Sequence, residues 1–313
     1  MSNLSAKYLH DEEAAHEFLE GVLWGAQVSC LHCGGVDKIT KVKANPEKRI
    51  RVGLWRCGDC KKQFTVKVGT VFEASKVKLH IWLQAVVLMT QSKKGISAHQ
   101  LHRTLGVTYK TAWFMGHRIR EAMRSGDLSP FGAGGGVVEA DETFIGNDRT
   151  IKPKHTKKGR GYAHKHKVLS LVDRATGRAR SMVVDDLKVK TLAPILRENI
   201  AAEAQLMTDE TSHYKAMASD FAGHDFVSHG KGEYGRGEIH TNTIEGYFSI
   251  FKRGMKGVYQ HCGKKHLHRY VAEYEFRYNN RIALGVDDRD RAKVALMGAK
   301  GKRLTYQQPH ENA

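Results

Sequence analysis

Val137-Val138-Glu139-Ala140-Asp141-Glu142-Thr143-Phe144-Ile145 is an apolar run interrupted by acids, and it reads as a β-strand. Asp141 follows the run Val137-Val138-Glu139-Ala140, as Asp209 follows the apolar stretch Ala204-Gln205-Leu206-Met207. Glu245, thirty-six positions beyond Asp209, opens a helix-like segment that carries Lys252 seven residues later. Two acids at strand ends and a third on a later helix suit a two-metal phosphoryl-transfer site. Mg²⁺ or Mn²⁺ prefers oxygen ligands, and two ions a few Å apart can clamp both the attacking and the leaving oxygen. The pattern points to chemistry on nucleic acid.

The residues around that run extend the pattern. Lys167 to Asp173 and Arg178 to Val184 read as second and third strands, joined by a tight turn at Thr176-Gly177. Leu187 to Asn199 reads as a helix with Leu192, Ile195 and Leu196 on one face, and Gln205 to Thr208 as a short fourth strand. Three hairpin-like strands, a helix and a parallel strand follow the order of ribonuclease H-like α/β folds. First and fourth strands are neighbours there, so Asp141 and Asp209 are expected side by side at their carboxyl ends. Glu142 and Glu210 would point the opposite way and are read as structural or solvated.

The chain has 313 residues, room for one large or two to three small domains. Fifty-one Lys and Arg against 33 Asp and Glu give a net charge of +18, with a pI near 9.7. Such a field suits a polyanion such as double-stranded DNA, although a ribosome-associated protein would be as basic. No apolar run reaches the roughly eighteen residues a membrane span needs, and Met1-Ser2-Asn3-Leu4 begins no secretory signal. A cytoplasmic, reducing location without a membrane partner is expected.

Cys30-Leu31-His32-Cys33 and Cys57-Gly58-Asp59-Cys60 are two C-x-x-C knuckles. Together they offer four thiolates to one structural Zn²⁺, with no open position for chemistry. The segments 38–42, 49–56 and 63–66 alternate like short strands, which makes the region a zinc ribbon that folds with its metal. Cys262 has no partner motif.

Leu79 to Met89 is apolar enough for a buried helix, and Ile96 to Arg120 has the shape of a helix-turn-helix. Ser97 and Thr108 are candidate caps, Gly106 marks the turn, and Lys110, Arg118 and Arg120 lie on the second helix as candidate DNA contacts. Phe131-Gly132-Ala133-Gly134-Gly135-Gly136 reads as a flexible linker. The stretch Arg149 to Tyr162 is basic and aperiodic, so Lys154, Lys157, Lys158 and Arg160 are expected on a mobile loop that orders on DNA. The aromatic stripe Tyr270 to Tyr278 reads as core packing before base stacking, and Gly301 to Ala313 as a frayed end.

Val138-Glu139-Ala140-Asp141-Glu142-Thr143-Phe144-Ile145-Gly146, Thr208-Asp209-Glu210 and His240-Thr241-Asn242-Thr243-Ile244-Glu245-Gly246 resemble the DDE-type insertion-sequence transposases. So does the tail from Lys264-Lys265-His266-Leu267 to Arg277-Tyr278-Asn279-Asn280-Arg281. More narrowly they resemble the ISXO-two-like group, which carries an N-terminal zinc ribbon. The resemblance implies a homo-oligomeric enzyme that binds terminal inverted repeats, nicks them with Mg²⁺ to expose 3′-hydroxyls, and joins these to target DNA. Asp141, Asp209 and Glu245 would be its catalytic metal ligands, and Lys252 and Arg253 would hold phosphates near the scissile bond. In part of that group the third position is Asn. Asn242 lies three residues before Glu245, on the same helix face, and is an alternative ligand; the carboxylate is the better cation ligand. Two other readings are a domesticated, non-catalytic DNA-binding regulator and a ribonuclease H-like nuclease without strand transfer.

The expected organisation is an N-terminal helical segment (1–27), zinc ribbon (28–72), helix-turn-helix (76–128), Gly-rich linker (129–136), ribonuclease H-like DDE catalytic domain (137–285) and C-terminal tail (286–313).

Overall fold

The computed structural model describes residues 3–147, 162, 164–233 and 235–305. The chain forms two compact units, one of residues 1–124 with 285–313 and the other of residues 125–284.

In the first unit, Asp11 caps helix α1 (Glu12–Trp24) by accepting the Ala14 N–H at 2.8 Å. Strands β1 (Ile39–Lys41), β2 (Trp55–Cys57) and β3 (Gln63–Phe64) form a small antiparallel sheet in the order β1-β2-β3. Helix α2 (Leu79–Gln91) buries Trp82, Leu83 and Met89. Its capping residue, Lys78, has no side-chain acceptor to offer, and Glu12 supplies one from α1, taking the Leu79 N–H at 2.8 Å and the His80 N–H at 3.2 Å. Helices α3 (Ala98–Leu105) and α4 (Tyr109–Met123) are capped by Ser97 and Thr108, each accepting the backbone N–H three residues on. Gly106 joins them at φ 65°, in the left-handed region that a glycine adopts without strain.

Three expectations are corrected here. Arg118 and Arg120 on α4 are 6% and 4% exposed and do not form a DNA-facing surface. Arg118 donates to the carbonyls of Glu73 and Leu304, each at 3.0 Å, and its guanidinium lies 4.9 Å from the Phe114 ring. The segment expected as a tail contains a helix, Asp288–Met297, started by the Asp287 side chain. It buries Ala295 and Leu296, and the chain after it returns an N–H from Gly301 to the Gly69 carbonyl.

The third correction lies in the second unit. The expected flexible linker is a packed turn: Phe131 is 7% exposed and exchanges backbone hydrogen bonds with the Asn199–Ala201 segment. Gly132 sits at φ 74°, where a Cβ would lie 2.5 Å from that of Ala204, so its glycine serves close approach.

Strand β4 (Val137–Ile145) is the centre of a five-stranded sheet. β5 (His166–Asp173) pairs antiparallel with it, and β6 (Arg178–Val184) antiparallel with β5. Helix α5 (Val189–Asn199) leads to β7 (Gln205–Thr208), which runs parallel to β4. After the short helix α6 (Ser212–Lys215), β8 (Gly223–Phe226) adds parallel to β7, giving the order β6-β5-β4-β7-β8. A two-stranded hairpin, β9 (Gly235–Arg236) and β10 (Ile239–His240), precedes α7 (Asn242–Gly254) and α8 (Lys264–Asn279).

Alternation along β4 sorts the layers. Val138 and Ala140 pack with Leu192 and Leu196 of α5 and Leu206 of β7. The opposite face carries Glu139, Asp141, Thr143 and Ile145, and there α7 and α8 bury Phe251, Leu267 and Tyr274 against Ile145 and Val168. Tyr247, Phe248 and Tyr278 continue that layer over Val172. Tyr270, Tyr274, Phe276 and Tyr278 are all buried, so the aromatic stripe is core. The two helices cross closely because Gly254 has no side chain: a Cβ there would fall 1.7 Å from the Tyr274 hydroxyl.

Candidate active site and metal centre

The pairing of β4 with β7 brings the first two acids together. Glu139 is opposite Met207 in that parallel pair, so two residues further along both chains Asp141 comes level with Asp209. Asp141 is half-buried and its carboxyl is pushed up to about 7. Burial is the largest cause and the Glu142 charge the next; Asp209 adds to them, while the Glu142 N–H and the Lys252 ammonium pull the other way. One oxygen of Asp209 accepts the backbone N–H of Thr211 at 3.0 Å and its hydroxyl, a turn that fixes the carboxylate at the end of β7.

The neighbouring acids each bond to other segments. Glu142 accepts the Tyr214 hydroxyl at 2.6 Å and faces His213 Nε2 at 2.9 Å, tying α6 to β4 just beyond Asp209. Glu210 accepts from the Ser228 hydroxyl at 2.5 Å and the Gly230 N–H at 3.0 Å. That anchors the turn holding His229, whose Nε2 lies 3.5 Å from the Glu245 carboxylate.

Glu245 and Asn242 are exposed residues of the first turn of α7, and Glu245 also accepts the Thr241 hydroxyl at 3.4 Å. Lys252 is half-buried on α7 with its ammonium 5.5 Å from the Phe248 ring centre. Arg253 is exposed and donates to the Ser249 carbonyl of its own helix at 3.1 Å. Asp141, Asp209 and Glu245 are not all within 4.8 Å of one another; among the described residues only the cysteines converge that tightly. Lys110 is exposed on α4. Lys154, Lys157, Lys158 and Arg160 lie outside the described residues.

Sequence reasoning passed over Glu139 as a functional residue. It is 0% exposed and accepts from Arg174 Nε at 2.6 Å, the Thr243 hydroxyl at 2.8 Å and the Ile244 N–H at 2.9 Å. A glutamate on the inward face of a central strand was the available signal, because a buried charge requires partners.

Cys30, Cys33, Cys57 and Cys60 bring their sulfurs within 4.8 Å of one another, with Cys30–Cys60 at 3.6 Å and Cys33–Cys57 at 3.7 Å. A tetrahedral zinc with Zn–S bonds of about 2.3 Å separates its sulfurs by about 3.8 Å, so the cluster fits one structural Zn²⁺. Burial works against ionising Cys30, but the His32 and Cys33 N–H groups and the adjacent thiols draw it down to about 6. Cys33 gains an N–H bond from Gly35, yet the surrounding thiols push it up to about 12.

Comparison with known proteins agrees with this layout. Residues 134–279 match the family described as ISXO2-like transposase domain, and residues 10–63 match the transposase zinc-ribbon domain. An uncharacterized protein in transposable element ISH50 of Halobacterium salinarum is 29% identical over 284 residues, 85% of this chain and 90% of that protein. Among solved structures, a chain of the simian T-cell lymphotropic virus intasome in complex with PP2A regulatory subunit B56 gamma is 11% identical, with a TM-score of 0.27. That match covers 56% of this chain and 63% of the other, less than two thirds of its length. No helix among the described residues is long and apolar enough to cross a membrane.

Proposed function

We propose that this chain, whose residues 134–279 match the ISXO2-like transposase domain and whose residues 10–63 match the transposase zinc-ribbon domain, binds the terminal inverted repeats of an insertion sequence, nicks them and joins the freed ends to target DNA. The observation that carries the proposal is the β4–β7 register that sets Asp141 level with Asp209 beside the Lys252 charge. The strand order β6-β5-β4-β7-β8, with two antiparallel and two parallel junctions, supports a ribonuclease H-like reading of this unit.

Asp141, Asp209 and Glu245 would hold two Mg²⁺ or Mn²⁺ ions, with Asn242 as an additional or alternative ligand. The donors are oxygens, and a carboxyl lifted to about 7 by burial and like charge is one that a cation would stabilise in its ionised form. Bound there, the ions would ready a water or 3′-hydroxyl for attack and neutralise the leaving oxygen. The chain's own residues supply the positioning: Thr211 fixes Asp209, and Glu142 and Glu210 pin the segments on either side. Lys252 and Arg253 would hold phosphate close to Asp141.

For DNA reading, the capped pair α3–α4 supports a helix-turn-helix with Lys110 as its contact. Lys154, Lys157, Lys158 and Arg160 are assigned to backbone holding on their sequence alone. A homo-oligomer binding both ends completes the proposal. The test is incubation with Mg²⁺ and DNA carrying the element's terminal repeats: nicks ending in 3′-hydroxyls, followed by joined products, are expected. End binding with no nick in either Mg²⁺ or Mn²⁺ would favour the regulator reading; nicks with no joining would favour a nuclease.

A further inference from the structure

Glu139 lies two residues from Asp141 on the same face of β4, yet all its contacts run toward other segments. One oxygen takes the Arg174 Nε–H and the Thr243 hydroxyl; the other takes the Ile244 N–H, 2.9 Å away. Ile244 is the third residue of α7, where backbone N–H groups lack a partner inside the helix and the helix dipole favours an anion. Arg174 completes the arrangement. It donates Nη1 to the Glu238 carbonyl and Nη2 to the His240 carbonyl, both at 2.7 Å, so the approach to α7 is held on the same carboxylate. His240 Nδ1 stands 3.3 Å from Glu139.

Resting on the proposed metal site, we infer that Glu139 is a positioning residue: its carboxylate fixes the first turn of α7, and with it Glu245 and Asn242, against the strand that carries Asp141. A side chain in a solely structural pair would need only Arg174. Glu139 instead spends its second oxygen on the amide one residue before Glu245, so the reach of the side chain sets where the third ligand stands.

The test is Mn²⁺ affinity of the full, zinc-loaded chain, read by the paramagnetic resonance signal of free Mn²⁺. Glu139→Asp keeps the charge facing Arg174 and shortens the reach to Ile244. It should melt near the wild-type temperature yet bind Mn²⁺ about 10–100-fold more weakly, the range for losing support behind a metal ligand. Glu139→Asp added to the pair Glu245→Ala and Asn242→Ala should bind no more weakly than that pair alone, because Glu139 acts through those two residues. Wild-type affinity in Glu139→Asp, or a full additional loss when it is added to the pair, would overturn the inference. Failure of both Glu139→Asp and Glu139→Gln to fold would also overturn it, by making Glu139 a requirement of the fold. Asp141→Ala separates the two readings. If it leaves Mn²⁺ affinity unchanged, the metal site itself is misplaced and the inference falls with it; if it weakens binding while Glu139→Asp does not, only the role of Glu139 is refuted.

Discussion

Replacing Asp141 with asparagine should stabilise the protein in buffer without added Mg²⁺ or Mn²⁺, and the gain should depend on pH. The carboxyl is raised from 3.8 to about 7 in the folded chain, chiefly by burial and then by the Glu142 charge. At pH values between these two, the unfolded chain has released this proton and the folded chain still holds it. Folding therefore takes up a proton, and stability falls as pH rises until the folded carboxyl has itself ionised. About three pKa units at 1.36 kcal/mol each set an upper bound of about 4 kcal/mol, complete above roughly pH 7. The amide of Asp141→Asn would mimic the protonated group and still accept the Glu142 N–H, which now reaches Asp141 at 2.7 Å. Urea denaturation of the transition belonging to residues 125–284, followed from pH 4 to pH 8, measures the difference. The variant should match wild type near pH 4 and exceed it increasingly up to pH 7. A difference that does not change with pH, or a variant less stable than wild type at pH 8, would refute the reasoning.

Three other outcomes follow from the packing. Cys30→Ser or Cys57→Ser should lose the metal, seen as a fall from about one zinc per chain by elemental analysis, and should melt the ribbon, because metal binding and folding are one free energy here. Gly254→Ala should cost about 1–3 kcal/mol or more in thermal or urea unfolding, since its methyl would meet the buried Tyr274 hydroxyl; wild-type stability would mean the α7–α8 crossing is looser than described. Arg118→Ala should lower stability through loss of its bonds to the Glu73 and Leu304 carbonyls, whereas Lys110→Ala, at an exposed position, should lower stability less and weaken end binding; competition binding and melting curves separate the two.

Elements with strong local signals were legible in the sequence. β4 over Val137–Ile145 and β7 over Gln205–Thr208 agree with the apolar runs that bound the acids, and Ser97, Gly106 and Thr108 act as the caps and turn their chemistry implied. What escaped depended on distant partners. Arg118 reads as a surface charge until carbonyls 45 and 186 positions away are brought to it. The glycines after Phe131 look like a linker because the reason for Gly132, contact with Ala204, lies on a different segment. Half the residues of Asp288–Met297 are charged, and only the partners of Ala295 and Leu296 make it a packed helix. The acids of the proposed site stand out in the sequence, but the contacts of Glu139 do not, since its partners are 35 and more than 100 positions away.

The central claim is that Asp141, Asp209 and Glu245 form one metal site that cuts DNA, apart from the surfaces that recognise it. The most direct measurement is Mg²⁺-dependent nicking of a terminal-repeat duplex by Asp141→Ala, Asp209→Ala, Glu245→Ala and Asn242→Ala, with end binding measured on the same preparations. The three acid variants should bind the end nearly as wild type and yield no nicked product, with Asn242→Ala milder. Wild-type nicking by Asp141→Ala or Asp209→Ala would contradict the account, and an active Glu245→Ala beside an inactive Asn242→Ala would move the third ligand to Asn242.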